Sequence, residues 1–541
     1  PIEGHAIETV SFDFSQYQTK DMSNFRKGDI VFFYAYDPTV DGEPNATRHY
    51  VFRGSIIEIR EDGVEVSLRN PQSRAEVFDG KVWALEHDFM ESSYRSLYQG
   101  LQLFMAARKE RKDLLLLQRQ PAVDTTIQLK GDYATATGNE FNELVLRVKQ
   151  ACDLFLIIGP PGTGKTSFGM VNVLKEQLLE EGTSVLLLSF TNRAVDEMCS
   201  KLVAEGIDFM RIGSELGCHE TYRSHLLGKR SEACRNGEEI RQLIAQCRVF
   251  CGTTTALNSQ AGLLTIKAFD LAIVDEASQI LEPQIVGLLS QKIKQTGEHA
   301  IKKFVLIGDE KQLPAVVQQQ PAESLVQEPD LQSIHLTDCR LSLFERLIRA
   351  YRQEGVNNAY SYMLTRQGRM HRDIAIFPNQ AFYDGKLVPV PLPYQEEHTP
   401  STVQSLHGID ALLTTRRVAF VTYPEPRKKT WQYGDSDKVN LVEAKMIAAT
   451  VYRIYLSHQG HFDKDRTVGV IVPYRNQIST IRNEIDSYHI AELHDIMIDT
   501  VERYQGSQCE NIIYGFTIQK YYQMGFLASN QYIDHVSGQI I

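Results

Sequence analysis

The run Gly159-Pro160-Pro161-Gly162-Thr163-Gly164-Lys165-Thr166 constrains this chain more than any other stretch. It follows an apolar run, Leu154 to Ile158, and precedes a helical pattern from Ser167 to Leu179. A G-x-x-x-x-G-K-[ST] sequence between a strand and a helix is a phosphate-binding loop. Such a loop belongs to an α/β fold with a parallel sheet. The glycines let backbone N–H groups turn inward around phosphates. Lys165 supplies a point charge to the β and γ phosphates, and Thr166 offers a hydroxyl to Mg²⁺. Ser167 opens the helix, whose positive N-terminal end adds to the attraction. A nucleotide such as ATP, with Mg²⁺, is the expected cofactor.

The flanking residues agree. From about 131 to 355 apolar strands alternate with helical patterns: Leu154–Ile158, Val185–Leu188, Val249–Gly252, Leu271–Val274 and Phe304–Ile307. Each except the third runs into a polar or glycine motif at its C-terminal end, where open α/β sheets place ligands. A second α/β unit, residues 356–541, is predicted with strands at Val418–Thr422, Thr467–Val472 and Asn511–Phe516. Residues 1–82 read as a small β-barrel: Ile30–Phe33 and Val51–Ile59 are strand-like, and Asp62-Gly63 marks a hairpin before the alternation Val64, Val66, Leu68. Residues 83–130 read as a helical stalk, in which Tyr94, Leu97, Tyr98, Leu101, Phe104 and Met105 recur at helical spacing. The basic run Arg108–Lys112 is expected on a solvated face.

Two further motifs carry chemistry. The strand Leu271–Val274 ends in Asp275-Glu276-Ala277-Ser278-Gln279. An acidic pair at a strand end beside a phosphate loop suits hydrolysis: Asp275 to hold Mg²⁺ through water, Glu276 to orient and deprotonate the attacking water. The strand Phe304–Ile307 ends in Gly308-Asp309-Glu310-Lys311-Gln312-Leu313-Pro314. Gln312 is a neutral group able to hydrogen-bond a γ-phosphate or the water beside it.

The ordered set GPPGTGKT, TNRAVDEM (191–198), DEASQ and GDEKQLPAVV resembles the superfamily one helicases of the up-frameshift-like branch. Gln367-Gly368-Arg369-Met370-His371, Pro473-Tyr474-Arg475-Asn476-Gln477 and Val501-Glu502-Arg503-Tyr504-Gln505-Gly506 resemble later motifs of that family. The resemblance spans about 130 to 541. It implies two RecA-like domains, and NTP-driven 5′-to-3′ movement on single-stranded DNA or RNA. It implies that Arg369 reaches the γ-phosphate from the second domain. It places Thr191, Asn192, Thr253, Thr254, Thr255, Pro473, Tyr474 and Gln505 on the strand, and Glu502 and Gly506 near the nucleotide. Residues 1–130 resemble the family's accessory barrel and stalk in architecture only. The barrel reads equally as a nucleic-acid-facing domain or as a spacer or docking module.

Three departures carry expectations of their own. The family's adenine-stacking tyrosine is Gly368 here. Its adenine-reading glutamine has no clear counterpart; Asn142 is the available substitute there, and Tyr133 or another aromatic is the substitute for the missing stack. Weak base selectivity follows, with GTP, CTP and UTP used nearly as well as ATP. The family's last motif is absent from the sequence, which begins at Pro1 and stops at Ile541, and a fragment of a longer polypeptide is expected.

Net charge is −11, which argues against whole-surface attraction to nucleic acid but leaves room for a local basic groove. No apolar run approaches the roughly 18 residues of a membrane-spanning helix, and no signal peptide is present. Eight scattered cysteines without a CxxC pair point to a reducing compartment, cytoplasmic or nuclear. Cys218, His219, His225 and Cys234 match no common zinc spacing. No carboxylate–lysine nuclease constellation and no iron–sulfur cysteine set is found. A strand-stimulated clamp that does not unwind, the motor part of a nuclease–helicase, and an inactive binding module are the rival readings. Protein partners are unknown from sequence.

Overall fold

The computed structural model describes residues 6–13, 25, 27–41, 44–60, 63–78, 82–88, 93–136, 138–260, 262–315, 317, 319, 321–397, 408–422, 438–519, 523, 533–534 and 539–540. Two compact units emerge, one of residues 1–91 with 399–541, the other of Ser92–His398. The turn residue Asp62 and most of the stretch from 526 onward lie outside the described residues.

In the first unit, β1 (Ile7–Asp13), β2 (Ile30–Tyr36), β3 (Phe52–Ile59), β4 (Gly63–Gln72) and β5 (Val82–His87) form an antiparallel half-barrel in the order β1-β4-β3-β2-β5. Val31, Phe33, Phe52, Ile56, Val64, Val66 and Leu68 make its core. Alternate residues of β4 turn inward, as the period of two in the sequence requires. The barrel outruns the expected end at 82: β5 pairs antiparallel with β2 from Val82↔Tyr36 to His87↔Val31. Trp83 is drawn in by its ring contact with Phe33, 5.7 Å between centroids.

The second unit is built on a seven-stranded parallel sheet. Its strands are β6 (Leu154–Ile158), β7 (Val185–Ser189), β8 (Met210–Ile212), β9 (Val249–Thr253), β10 (Phe269–Val274), β11 (Ile301–Gly308) and β12 (Ser361–Met363), in the order β12-β6-β11-β10-β7-β9-β8. Near-continuous apolar runs are what a sheet covered on both faces needs. Alternate residues serve two cores: Leu156, Leu186, Ala272 and Leu306 join one cluster, while Ile157, Leu187, Ile273 and Val305 join the other.

Two sequence expectations change here. The boundary near 355 falls inside this unit, because β12 pairs parallel with β6. The run Arg108–Lys112 is not wholly solvated. Arg111 is buried, donating from Nη1 to Leu289 O and from Nη2 to Ile301 O, both at 2.7 Å, and lying 5.1 Å over the Phe304 ring. Burial lowers its pKa to about 10. A charge run marks a solvated face only on average; here backbone carbonyls at the sheet end supply acceptors that make burial of one arginine affordable.

Short strands β13 (Arg366–Gln367) and β14 (Val388–Pro389) pair beside the sheet. The remainder of the first unit holds β15 (Val468–Ile471), β16 (Met497–Asp499) and β17 (Asn511–Tyr514), parallel in the order β16-β15-β17. The helices Leu441–Ser457 and Arg475–Asp486 pack on this sheet through Val451, Ile454, Ile481 and Ile485. The expected strand Val418–Thr422 is not one. Its residues join no ladder, and Val418 and Phe420 are exposed. An apolar run permits a strand, but a neighbouring edge in register must exist to pair with it.

Candidate nucleotide-binding site

β6, β11 and β10 are consecutive in the sheet, so their carboxyl ends meet. The phosphate loop leaves β6, Asp309 follows β11, and Asp275-Glu276 follows β10. The loop's start is tied to β11 by Gly159 N donating to Gly308 O at 2.9 Å. Gly162 and Gly164 have φ of +77° and +75°, a region that side chains disfavour. Thr163 folds back, its hydroxyl donating to Pro160 O at 2.8 Å. The chain then enters a wide π-helical turn, Lys165–Met170, before the α-helix Val171–Leu178. Such turns recur at functional sites.

The charged residues hold one another. Lys165 Nζ lies 2.6 Å from Glu276 Oε1, and Thr166 Oγ1 donates to Asp275 Oδ2 at 2.6 Å. Glu276 also accepts from Gln279 Nε2 at 3.1 Å, and its backbone sits at φ 53°, ψ 36°. A non-glycine residue there stores strain, which active sites often do. Burial pushes the Asp275 carboxyl up to about 6 against the pull of Lys165. Burial opposes the charge on Lys165, but Glu276 and Asp275 together raise its pKa. Asp309, buried, is raised by burial and bonded at Oδ2 by Gln312 Nε2 (2.8 Å) and Tyr383 OH (2.7 Å).

Arg369 belongs to this same unit, and not to a second domain as the resemblance implied. Gly368 N donates to Gly162 O at 2.8 Å. A Cβ on Gly162 would strike the Cβ of Arg369. Gln367 shapes the turn: its Oε1 accepts from Arg369 N (3.1 Å) and Met370 N (2.8 Å). Gln395 Nε2 donates to Gln367 O at 2.9 Å, and Tyr394 OH donates to Gly368 O. The Arg369 side chain is exposed yet crowded enough to lower its pKa, while Glu197 and Glu276 act to hold the charge.

The two expected base-reading substitutes are engaged elsewhere. Tyr133 is buried with its hydroxyl on Glu176 Oε2 at 2.7 Å. Asn142 accepts from Tyr133 N (2.6 Å) and donates to Asp132 and Asn139 (both 2.7 Å).

Of the expected strand contacts, Thr191 caps the helix Asn192–Ala204, accepting from Ala194 N at 3.2 Å, and Asn192 is exposed. Thr253 and Thr254 are buried, Thr253 as a cap on Ala256 N at 3.0 Å; Thr255 is exposed. Pro473, Tyr474, Glu502, Gln505 and Gly506 lie in the other unit. There Tyr474 begins the helix Arg475–Asp486, and Glu502 and Gly506 are exposed. The amide nitrogen of Gln505 is buried without a partner among the described residues. His225 is stacked on Phe209, 4.2 Å between centroids, and Cys218 Sγ donates to His219 O. Sequence reasoning missed Tyr383, Gln395 and Gln279 as supports. Only Gln279 carried a signal, its place inside DEASQ.

Two family models, each described as an AAA domain, match residues 142–372 and 339–533. The DNA replication ATP-dependent helicase/nuclease JHS1 of Arabidopsis thaliana is 31% identical over 488 residues, covering 86% of this chain and 33% of that protein. The DNA polymerase alpha-associated DNA helicase A of Schizosaccharomyces pombe is 28% identical over 436 residues, 70% of this chain and 58% of that one. Among solved structures, the arterivirus nonstructural protein 10 helicase with DNA matches 93% of this chain and 80% of that one. Its identity is 12% and its TM-score 0.32. The chain spans about a third of the length of the helicase/nuclease relatives. The two models together run through the stretch that holds the phosphate loop, DEASQ, QGRMH and ERYQG, and with these relatives they support a helicase of superfamily one similar to the up-frameshift-like branch.

Proposed function

We propose that the chain is a nucleic-acid-stimulated NTPase that moves 5′ to 3′ along a single strand and unwinds duplexes. The observation that carries this is the closed set Lys165–Glu276, Thr166–Asp275 and Gln312–Asp309 with Arg369 beside Gly162. In this reading a γ-phosphate takes Lys165 from Glu276, and the released carboxylate holds and deprotonates the attacking water. Gln312 reports the phosphate to Asp309 and Tyr383, and Arg369 offsets the developing charge. Thr166 and Asp275 offer adjacent hard oxygens suited to Mg²⁺, and a divalent cation reverses the cost of burying the Asp275 charge. When bound, Mg²⁺ supplies charge neutralisation at the phosphates.

DNA is the favoured track, because the relatives' printed names are those of DNA helicases and a DNA replication enzyme. A motor that is the helicase part of a larger nuclease–helicase fits the same relatives. Weak base selectivity stands with it, since Asn142 and Tyr133 are committed to the fold. An intracellular location, cytoplasmic or nuclear, belongs to the same reading, supported by the replication relatives. No helix of the described residues is long and apolar enough to cross a membrane.

The test is steady-state hydrolysis of ATP, GTP, CTP and UTP, with and without single-stranded DNA or RNA, beside Lys165→Ala. Strand-stimulated turnover that Lys165→Ala abolishes is expected, with DNA the better activator. Strand-independent turnover overturns the motor reading. A tenfold ATP preference in kcat/KM overturns only the base-selectivity claim. A strand-displacement assay separates unwinding from a clamp that hydrolyses without opening duplexes.

A further inference from the structure

Asp309 follows β11, and its side chain is almost fully buried. Among the described residues three neutral donors hold its carboxylate. Lys311 N donates to Oδ1 at 3.0 Å, while Gln312 Nε2 and Tyr383 OH both donate to Oδ2, at 2.8 and 2.7 Å. The backbone N–H of Asp309 donates to Ser278 Oγ of DEASQ at 3.4 Å. A carboxylate oxygen has two in-plane lone-pair directions. With the phenol in one of them, the Gln312 amide is confined to the other. The carboxylate cannot turn with Gln312 without straining its bond to Tyr383.

Tyr383 ends the helix Arg372–Phe382, its N–H donating to Asn379 O at 3.2 Å. None of that helix's residues is buried, whereas Tyr383 and Leu387 join the core beside the sheet. Asn379 closes the turn after the helix, accepting from Leu387 N and donating to Leu387 O, both at 2.9 Å. The chain then returns as β14, which pairs with β13. Arg369 lies in the turn between β13 and the helix. Residues 366–389 thus form a closed circuit of strand, turn, helix, turn and strand. Both ends of its helix are bonded to the nucleotide site: Gly368 N to Gly162 O at 2.8 Å before it, Tyr383 OH to Asp309 after it. Buried tyrosines commonly find a hydroxyl partner. Here the partner is the carboxylate that also holds Gln312.

We propose that Tyr383 is a positioning residue for NTP hydrolysis: by sharing Asp309 Oδ2 with Gln312 it fixes the Gln312 amide and couples it to the segment that carries Arg369. The inference rests on the NTPase reading above and deepens it. A γ-phosphate that draws Gln312 displaces Asp309 and Tyr383 with it, so loss of that phosphate is felt along residues 366–389.

The first arm of the experiment measures steady-state ATP hydrolysis by the full chain with saturating single-stranded DNA. Tyr383→Phe keeps the buried ring and removes only the hydroxyl. Its kcat is expected to fall roughly tenfold, the scale of one lost hydrogen bond to a charged group, with KM unchanged. In a Gln312→Ala background the same substitution should cost nothing further, because both act through one contact. A merely structural role predicts the same fold loss in both backgrounds. That result, or wild-type kcat in Tyr383→Phe, overturns the proposal. The second arm starts from the unsubstituted chain and compares amide exchange over residues 372–389 with ADP and with a non-hydrolysable ATP analogue. Slower exchange with the analogue is expected, and loss of that difference in Tyr383→Phe. Equal exchange with the two nucleotides overturns the coupling. Normal turnover in Gln312→Ala, or no NTP hydrolysis with or without a strand, brings down the reading of the site itself, and this inference with it.

Discussion

The phosphate-loop unit and the unit carrying the later motifs use their signature residues in opposite ways. In the first, the motif side chains pair with one another across strand ends: Lys165 with Glu276, Thr166 with Asp275, Gln312 with Asp309. In the second, Gln477 and Tyr504 belong to the scaffold, while Glu502 and Gly506 are exposed. Gln477 of the PYRNQ stretch is buried. It accepts from Asn440 N at 2.8 Å and donates to Asn440 O at 3.0 Å, thereby tying down the N-cap of the helix Leu441–Ser457. Tyr504 of ERYQG is buried against Gly469, where any Cβ would collide with its hydroxyl. Motif residues thus divide into those that pair with one another across strand ends and those that hold the framework. Spacing in sequence does not distinguish the two.

That contrast is open to direct attack. The largest effect is expected for Lys165→Ala, which removes the cation facing the phosphates. Turnover should fall by roughly 10²- to 10³-fold or more, as for lost transition-state charge stabilisation, with weaker nucleotide binding and little change in the melting midpoint. Steady-state hydrolysis and nucleotide titration check it; normal turnover would remove Lys165 from the chemistry. Glu276→Gln should slow hydrolysis by about 10²- to 10⁴-fold, the range for a general base. It should keep nucleotide binding and trap the chain on a strand, which a strand-dissociation chase reads.

Gln477→Ala should behave as a scaffold lesion. It removes both bonds from Gln477 to Asn440, whose O keeps Ala444 N at 3.0 Å, and should cost the unit roughly 1–2 kcal/mol. Faster amide exchange in the helix Leu441–Ser457, with an unchanged nucleotide half-saturation, is the expected pattern. If turnover collapses while exchange is unaltered, the division drawn above is wrong for this residue.

The smallest effect concerns His299, away from the motifs. Burial and the nearby Arg111 push its pKa down from 6.5 to about 4. The unfolded chain therefore binds more protons than the folded one between those values. The stability His299 contributes is present above pH 6.5 and is lost as the pH falls toward 4. His299→Gln should flatten the unfolding midpoint across that window; an unchanged slope would assign the acid sensitivity elsewhere.

Much of the phosphate-loop unit was legible because its signals are local. A buried strand needs an apolar run, a phosphate loop needs its glycines, and an acid at a strand end follows in sequence, so Leu154–Ile158, Lys165 and Asp275-Glu276 were found by pattern. Arg111 was misread because burial of a charge depends on acceptors from Leu289 and Ile301, far along the chain. Val418–Thr422 was misread because pairing needs an edge that composition cannot reveal. Tyr383 and Gln395 carried no local mark; each matters only through the residue it bonds.

The amino-acid sequence by itself determined the α/β class, the position of the nucleotide loop and the order of the motifs. These follow from periodicity and from backbone chemistry within a few residues. The tertiary structure decided which of those motif residues face each other, and that Arg369 shares a unit with the loop. Those outcomes depend on distances between residues far apart in the chain, which are set only when the sheet brings its strand ends together.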